Sequence, residues 1–317
     1  MYKHLTSEQR YAIFACMQKG MAKKDIASMI VVHPSTVGRE IKRNQTKNGK
    51  YVFNKAHEMS ERRKRRCPGN RRTDELVMLK VKTYILDEEW SPKQISGFLN
   101  KEGVSISHTT IYNYIHADET GKLAEHCRHR LKYRKKTPLS KRQTKATNIK
   151  NRVSIHERPV EADGKRFGDW EMDLIVDCNS NAILTLTERS TNYIIAEKLP
   201  EGKKSEPLAK AVCRLLLPFK GNALKTITTD NGGEFAGHEM ITEKLNVPVY
   251  FADSYSSWQK GAVENANKLI RQYLPKCTDL SSVSNKALHN IQLKINRRPR
   301  EKLDFSSPVV EFYKNAS

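Results

Sequence analysis

Apolar residues recur at helical spacing in two stretches of the first third of the chain, and each stretch breaks at short intervals. In residues 5–44 the first set is Tyr11, Ile13, Phe14 and Met17, entered through Ser7 as a helix cap and stopped near Gly20. A second short set, Ile26, Ala27 and Ile30, follows. A tight connection at 32–34 leads to a third helix capped by Ser35, which turns Val37 and Ile41 inward and Thr36, Arg39, Glu40, Lys42 and Arg43 outward. Residues 90–116 repeat the plan. Ser91 caps a helix whose first position is Pro92, where a missing N–H costs little. Ile95, Phe98 and Leu99 form its apolar stripe and Gly103 turns the chain. Ser107 then caps a helix in which Ile111, Tyr112 and Ile115 pack while Thr109, Thr110 and Asn113 face out. A short helix, a tight turn and a polar-faced helix make a helix-turn-helix.

After residue 167 the period changes. GDWEMDLIV, AILTLTERS and YIIAEKLP read as three strands, with Ile183, Thr185, Ile194 and Ile195 supplying β-branched side chains. An amphipathic helix over 203–219 follows. Next come a strand in LKTITTDNGGEF that ends in an Asp-Asn-Gly-Gly turn, a helix over 238–245, a strand in VPVYFAD and a helix in GAVENANKLIRQYL. That order is the order of an RNase H-like α/β domain. The expected fold class is multidomain: all-α helix-turn-helix domains, then an α/β RNase H-like domain.

Charge sharpens this division. The net charge is +22, and residues 1–150 carry 33 Lys and Arg against 14 Asp and Glu, while the remainder carries 24 against 21. A basic front half on a nearly neutral back half points to an anionic polymer bound through the front. The apolar runs near 29–32 and 215–219 are far too short to span a bilayer, which favours nucleic acid over membrane. With that partner, Ser35, Thr36, Arg39, Lys42 and Arg43 of the first unit and Thr109, Thr110 and Asn113 of the second become candidate DNA contacts. The basic runs at 62–72 and 128–136, the latter with Tyr133 interleaved, read as mobile linkers that ride on phosphates. Six scattered cysteines without a CxxC pair suggest reduced thiols and a cytoplasmic protein. His126, Cys127 and His129 lie close together but lack a second ligand pair, so they read as part of a basic, solvated segment.

Three acids stand at telling places in the back half. Asp173 lies mid-strand, Asp230 at the carboxyl edge of the fourth strand, and Glu264 in the first turn of a helix. Asp230 could equally serve the turn before Asn231, and Glu264 could simply complement the helix dipole. Asp173, between Met172 and Leu174 in a buried strand, is expensive without a partner. Converging carboxylates repel unless cations neutralise them, and hard oxygen donors select Mg²⁺ or Mn²⁺, here two ions. Lys268 and Arg271 follow Glu264 at helical spacing and are candidate phosphate contacts. Trp258, Gln259 and Lys260, just upstream, could hold a DNA end, although packing against the core is the stronger expectation for Trp258.

Blocks along nearly the whole length carry a family resemblance. LTSEQRYAI, HPSTVGREIKRN, WSPKQISGFL, SHTTIYNYIH, NRVSIHERP, FGDWEMDLI, TTDNGGEF, YFADSYSSWQKGAVENANKLIRQYLPK and NRRPREKLDFSSPVVEF occur in order. In these the chain resembles transposases of the insertion sequence thirty (IS30) family, which have a retroviral-integrase-like catalytic core. The resemblance implies that Asp173, Asp230 and Glu264 are the catalytic, metal-holding DDE triad. It departs from the family at Met172, where Gly is frequent, and at Ala262-Val263, where a polar pair is common.

The expected organisation follows. Residues 1–50 form one helix-turn-helix domain, 51–75 a basic linker, 76–136 a second such domain with a basic tail, 137–152 a linker and 153–317 the catalytic core. The expected function is metal-dependent cleavage and strand transfer of an insertion sequence, with its terminal inverted repeats and target DNA as double-stranded partners and a homo-oligomer acting on them. A DNA-binding regulator derived from an inactive transposase, or a nuclease that cuts without joining, are the alternatives.

Overall fold

The computed structural model describes residues 4–46, 48–66, 73–131, 149–254 and 256–316. The basic residues of 67–72 and 132–136, with Tyr133, and most of the expected linker at 137–152 lie outside them. The chain divides into two compact units, 1–73 and 74–317.

The first unit holds α1 (Ser7–Gln18), α2 (Lys23–Met29), α3 (Pro34–Asn44) and α4 (Phe53–Arg66). Ile13, Ile26, Ala27, Val37, Tyr51 and Ala56 form its core. The cap of α1 is Thr6 rather than Ser7, because Gln9 stands three residues after Thr6 and closes a capping box. Likewise His33, not Ser35, caps α3: its Nδ1 accepts the Ser35 backbone N–H, and Pro34 occupies the first helical position. The stretch expected to be linker from residue 51 begins with α4. Its buried positions are Ala56 and Ser60, with Phe53 set against Tyr11 and Phe14, and the rest of the helix is largely polar or charged, so the hydrophobic pattern over it is sparse.

Glu40 also differs from expectation, for it faces inward. The Arg10 guanidinium is buried in the unit, and Nε donates to Glu40 Oε1 at 2.7 Å. The same oxygen accepts from Asn44 Nδ2 and the Tyr51 hydroxyl, while Arg10 also reaches the Leu5 carbonyl and Ser60 Oγ. A buried guanidinium needs an anion and several acceptors, and this cluster supplies them.

The second unit opens with α5 (Glu75–Leu86), α6 (Pro92–Lys101), α7 (His108–His116) and α8 (Lys122–His126). Ile95, Leu99, Ile111 and Ile115 are buried as the stripes require, with Val81, Ile85 and Leu123. Trp90 stacks on Tyr84 at 4.6 Å and meets Phe98 edge-on. Cys127 belongs to this core rather than to a solvated segment, and its thiol donates to the Leu123 carbonyl. Burial pushes that thiol up to about 11.

A six-stranded sheet follows: β1 (Val153–Ser154), β2 (Asp169–Val176), β3 (Ala182–Glu188), β4 (Ile194–Leu199), β5 (Thr226–Thr229) and β6 (Val249–Phe251), in the order β1-β6-β5-β2-β3-β4. β2, β3 and β4 pair antiparallel, whereas β5 runs parallel to β2 and β6 to β5. With α9 (Ser205–Leu216), α10 (His238–Leu245) and α11 (Gly261–Tyr273) between and after the strands, this is the RNase H-like order. Two further helices, α12 (Asn285–Arg297) and α13 (Pro308–Ala316), complete the layers. One face packs Trp170, Met172, Leu184 and Leu186 against α9, α10 and Phe312 of α13. The other packs Ile175 and Ile183 against Leu269 and Ile270 of α11 and Ile295 of α12. The outer strand β4 is closed by α12: Asn296 bonds both the N–H and the carbonyl of Ile194, and Gln292 accepts from Ala196 N.

Within the second unit the helical part is seated on this α/β body. Glu89 faces Gln272 of α11, Lys294 of α12 and Arg298. Gly97 in α6 lies under the Phe305 ring so closely that a Cβ there would stand 2.1 Å from Phe305 Cε1. Lys93–Glu301 and Lys101–Asp304 pairs flank that contact.

Candidate active site

Period-two geometry of β2 creates the site. Trp170 and Met172 enter the core on one face, so Asp169, Glu171 and Asp173 project together from the other. Each acid has a different environment. Asp169 is fully buried, gripped by Arg166 through both oxygens and by the Thr226 hydroxyl. Glu171 is buried too; Arg189 Nε donates to Oε1 at 2.8 Å and the Val263 backbone N–H to Oε2 at 2.9 Å. Burial pushes the Glu171 carboxyl up, while these donors pull it down. Asp173 is the outermost of the three and retains partial exposure.

Glu171 does more than fill a buried position. α11 has no side-chain cap of its own, and the Val263 N–H is one of the orphan donors of its first turn. A carboxylate reaching across from β2 satisfies it and complements the positive end of the helix. Thus Glu171 fixes where α11 begins, and with it the positions of Lys260 and Glu264. Sequence reasoning missed this residue. The signal was the alternation Asp169, Glu171, Asp173, which puts all three on one side of a strand.

Asp230 follows β5 immediately, and its Oδ1 accepts the Gly232 backbone N–H at 3.0 Å. Lys260, only 5% exposed, joins it to Asp173: Nζ lies 3.0 Å from Asp230 Oδ2 and 3.6 Å from Asp173 Oδ1. From the next turn of α11, Asn267 Nδ2 donates to Asp173 Oδ2 at 2.9 Å, while its Oδ1 accepts the Thr185 hydroxyl. Burial pushes the Asp173 carboxyl up; Lys260 opposes this and Asp230 adds to it.

Glu264 lies four residues after Lys260 and three before Asn267, hence on the helix face that turns toward Asp173. Its carboxylate is 3.8 Å from Lys268 Nζ. Among the described residues no three His, Cys, Asp or Glu side chains sit close enough to hold a metal ion together. Lys260 brings Asp173 and Asp230 to one cation, while Glu264, in the first turn of α11, has Lys268 as its ion-pair partner.

Other sequence candidates divide cleanly. Trp258 is 75% exposed rather than packed on the core, because the 3-10 turn that carries it turns Lys260 inward instead. Gln259 is held by Asp253, bonding both its backbone N–H and its carboxylate. Arg271 donates to the Val176 carbonyl at 2.9 Å and to carbonyls at the end of α11, so it ties helix to strand. Lys268 is exposed beside Glu264. In α3, Ser35, Arg39, Lys42 and Arg43 are exposed and Thr36 half-buried; in α7, Thr109 and Asn113 are exposed and Thr110 half-buried. No helix among the described residues is long and apolar enough to cross a membrane.

Comparison with known proteins decides the family. Over 98% of the chain, 42% of positions are identical to the transposase of insertion sequence element IS4351 from Bacteroides fragilis, of which 96% is covered. The chain belongs to the IS30-family transposases. The transposase InsI of element IS30A from Escherichia coli K12 is 34% identical over 96% of the chain and 82% of its own length. That of IS1086 from Cupriavidus metallidurans is 34% identical over 97% and 94%. The helix-turn-helix domain family matches residues 1–44, which contain α1, α2 and α3. Among solved structures, the catalytic core domain of BIV integrase aligns with 46% of the chain and 93% of its own at 18% identity and a TM-score of 0.37, a likeness too slight to build on.

Proposed function

We propose that this IS30-family chain binds the terminal inverted repeats of an insertion sequence and catalyses metal-dependent cleavage and strand transfer of that DNA. The observation that carries the reading is the meeting of Asp173, from the middle of β2, and Asp230, from the end of β5, around a single positive charge. Two carboxylates drawn together by an ammonium group form a donor set of hard oxygens that suits Mg²⁺ or Mn²⁺. Asp173, Asp230 and Glu264 are the residues that would hold the metal. When bound, it supplies activation of a hydroxyl nucleophile and charge stabilisation at phosphorus. The protein's own part is positional. Asn267 orients Asp173, Glu171 anchors the helix that carries Glu264, and Trp258 offers an exposed ring to an unpaired or frayed DNA end. Reading of the ends falls to the outward residues of α3 and α7, with phosphate contacts from the basic front half.

Substitution separates chemistry from binding. Glu264→Gln and Asp173→Asn keep size but remove a charged ligand, so cleavage and joining of end-bearing DNA should fall on the order of 10³-fold or more. Binding to the ends should stay nearly unchanged. Glu234→Gln, just past the Asp-Asn-Gly-Gly turn, serves as the control and should remain active. Normal strand transfer by Glu264→Gln, or an equally dead Glu234→Gln, would show the triad to be misassigned.

A further inference from the structure

We propose that Lys260 is the resident counter-ion of the Asp173–Asp230 pair, and that a divalent metal enters the site only by displacing its ammonium group. The inference rests on the metal-holding role assigned above and concerns what governs loading.

Each carboxylate spends one oxygen on fixed partners. Asp173 Oδ2 accepts from Asn267, and Asp230 Oδ1 from the Gly232 N–H. The oxygens that remain, Asp173 Oδ1 and Asp230 Oδ2, are the two that share Lys260 Nζ, although the Leu174 N–H also reaches Asp173 Oδ1 at 2.9 Å. The ammonium therefore occupies the face of Asp173 and Asp230 that these residues would offer to a metal. A divalent ion and an ammonium cannot both occupy that position, since like charges a few ångströms apart in a partly buried site repel strongly.

Lys260 is placed to give way. Its nitrogen ends a four-carbon stem, so withdrawal needs side-chain rotation and no change in β2 or β5. A Cβ on the residue after it, Gly261, would meet no other part of the fold within 4 Å, and Trp258 before it is exposed. Glu171, one pleat deeper, is already balanced by Arg189 and the Val263 N–H, so it does not compete for the freed charge. In the metal-free protein the lysine keeps two carboxylates together that would otherwise repel; it also sets a threshold that metal must exceed.

The test is Mn²⁺ binding to the full-length, DNA-free chain, followed by calorimetric titration and by the Mn²⁺-induced rise in melting temperature. Lys260→Met keeps the stem and removes the charge. It should bind Mn²⁺ at least about tenfold more tightly than the unaltered chain, because a charge pair at this separation in a partly buried site is worth that or more. It should also melt lower without metal and gain more from Mn²⁺. Lys260→Arg, which keeps a cation, should show no gain. If Lys260→Met does not fold, Lys260→Gln provides the same neutral readout. Equal or weaker Mn²⁺ affinity in a folded neutral variant overturns the counter-ion role alone. Absence of Mn²⁺ binding in every form, with Asp230→Asn no different from the rest, overturns the metal-holding role of the pair and the counter-ion role together.

Discussion

The two helical regions, α1–α4 and α5–α8, share a plan and differ in what holds them. In the first, α1 and α3 are tied by a buried ionic cluster, Arg10 with Glu40, that also engages Tyr51, Asn44 and Ser60. In the second, the interior is aromatic and aliphatic, with Trp90 between Tyr84 and Phe98, and the ionic contacts lie outside. Those outer contacts lead to the α/β body: Glu89 to Gln272, Lys294 and Arg298, and Gly97 under Phe305. The division of the chain at 73/74 expresses the same contrast. A unit that spends its polar groups internally specifies its own fold. A unit that spends them on a neighbour is fixed in place relative to that neighbour. Gln272 sits on the same helix, α11, that carries Glu264 near its other end and Asn267 at its middle, so the α5–α8 region touches the element that builds the site.

The largest effect that could break this comparison comes from Arg10. Arg10→Met leaves Glu40 buried without its cation and strips the Leu5 carbonyl and Ser60 of their donor. Removing one member of a buried pair costs about 3–5 kcal/mol. The expected outcome is early unfolding of α1–α4, with α5–α8 and the sheet unaffected, read by hydrogen exchange along the full chain. Adding Glu40→Leu should recover a large part of the loss, as expected when both charges are removed. Uniform loss of protection in both units would show that the first is not independently specified.

A matched pair of glycines sharpens the contrast at a smaller scale. Gly38 in α3 has nothing within 4 Å of a Cβ, whereas Gly97 in α6 has the Phe305 ring there. Alanine in an open helix position should gain about 0.5–1 kcal/mol, so Gly38→Ala should raise the stability of the free protein. The same change at Gly97 must push away a ring and the segment behind it, and should cost about 1–3 kcal/mol. Urea titration gives both signs. Limited proteolysis near residue 131 should also speed up in Gly97→Ala if α5–α8 lifts from the body. A stabilising Gly97→Ala would mean the two parts are not seated as described.

What could be read from the sequence divides along the same physical line. The stripes of α6 and α7, and the strands β2, β3 and β4, were legible because apolar residues recur at the period of the element. Ser91 and Ser107 were legible as caps because their partners are local in sequence. The α4 helix was not, because its buried positions, Ala56 and Ser60, lie in a run of mostly polar and charged residues. Glu40 looked like a solvent-facing residue of a reading helix, and only Arg10, thirty positions earlier, makes it an interior one. At the site, the positions of Asp173 and Asp230 followed from strand geometry. The roles of Lys260 and Glu171 did not: the alternation in β2 puts Glu171 on the face of Asp173, but the partners of both residues come from elements far apart along the chain. Cutting at residue 150, which the charge split invites, would separate α6 from Phe305 and Glu89 from Arg298.

The smallest expected effect lies in the turns before α3 and α7, where the comparison is closest. After α2 the Val32 N–H bonds the Ala27 carbonyl, and after α6 the Val104 N–H bonds the Leu99 carbonyl; both are Schellman-type stops. The residue that must take the left-handed conformation is Gly103 in the second unit, at φ +83°. In the first it is Val31, at φ 55°, with its side chain 89% exposed. A β-branched residue in that region is strained by about 1–2 kcal/mol, and exposure leaves it little packing in return. Glycine removes the strain but adds freedom to the unfolded chain, which offsets part of the gain. Val31→Gly should therefore stabilise the first unit by about 0.5–1 kcal/mol, and Gly103→Val should destabilise the second by a similar or larger amount. Thermal melts of the two variants give the signs directly. A loss of stability in Val31→Gly would mean that the valine makes a contact in solution that its exposure does not suggest. Raised stability with weakened binding to element ends would instead assign the strained valine to the DNA interface, where its two methyl groups could meet the methyl group of a thymine.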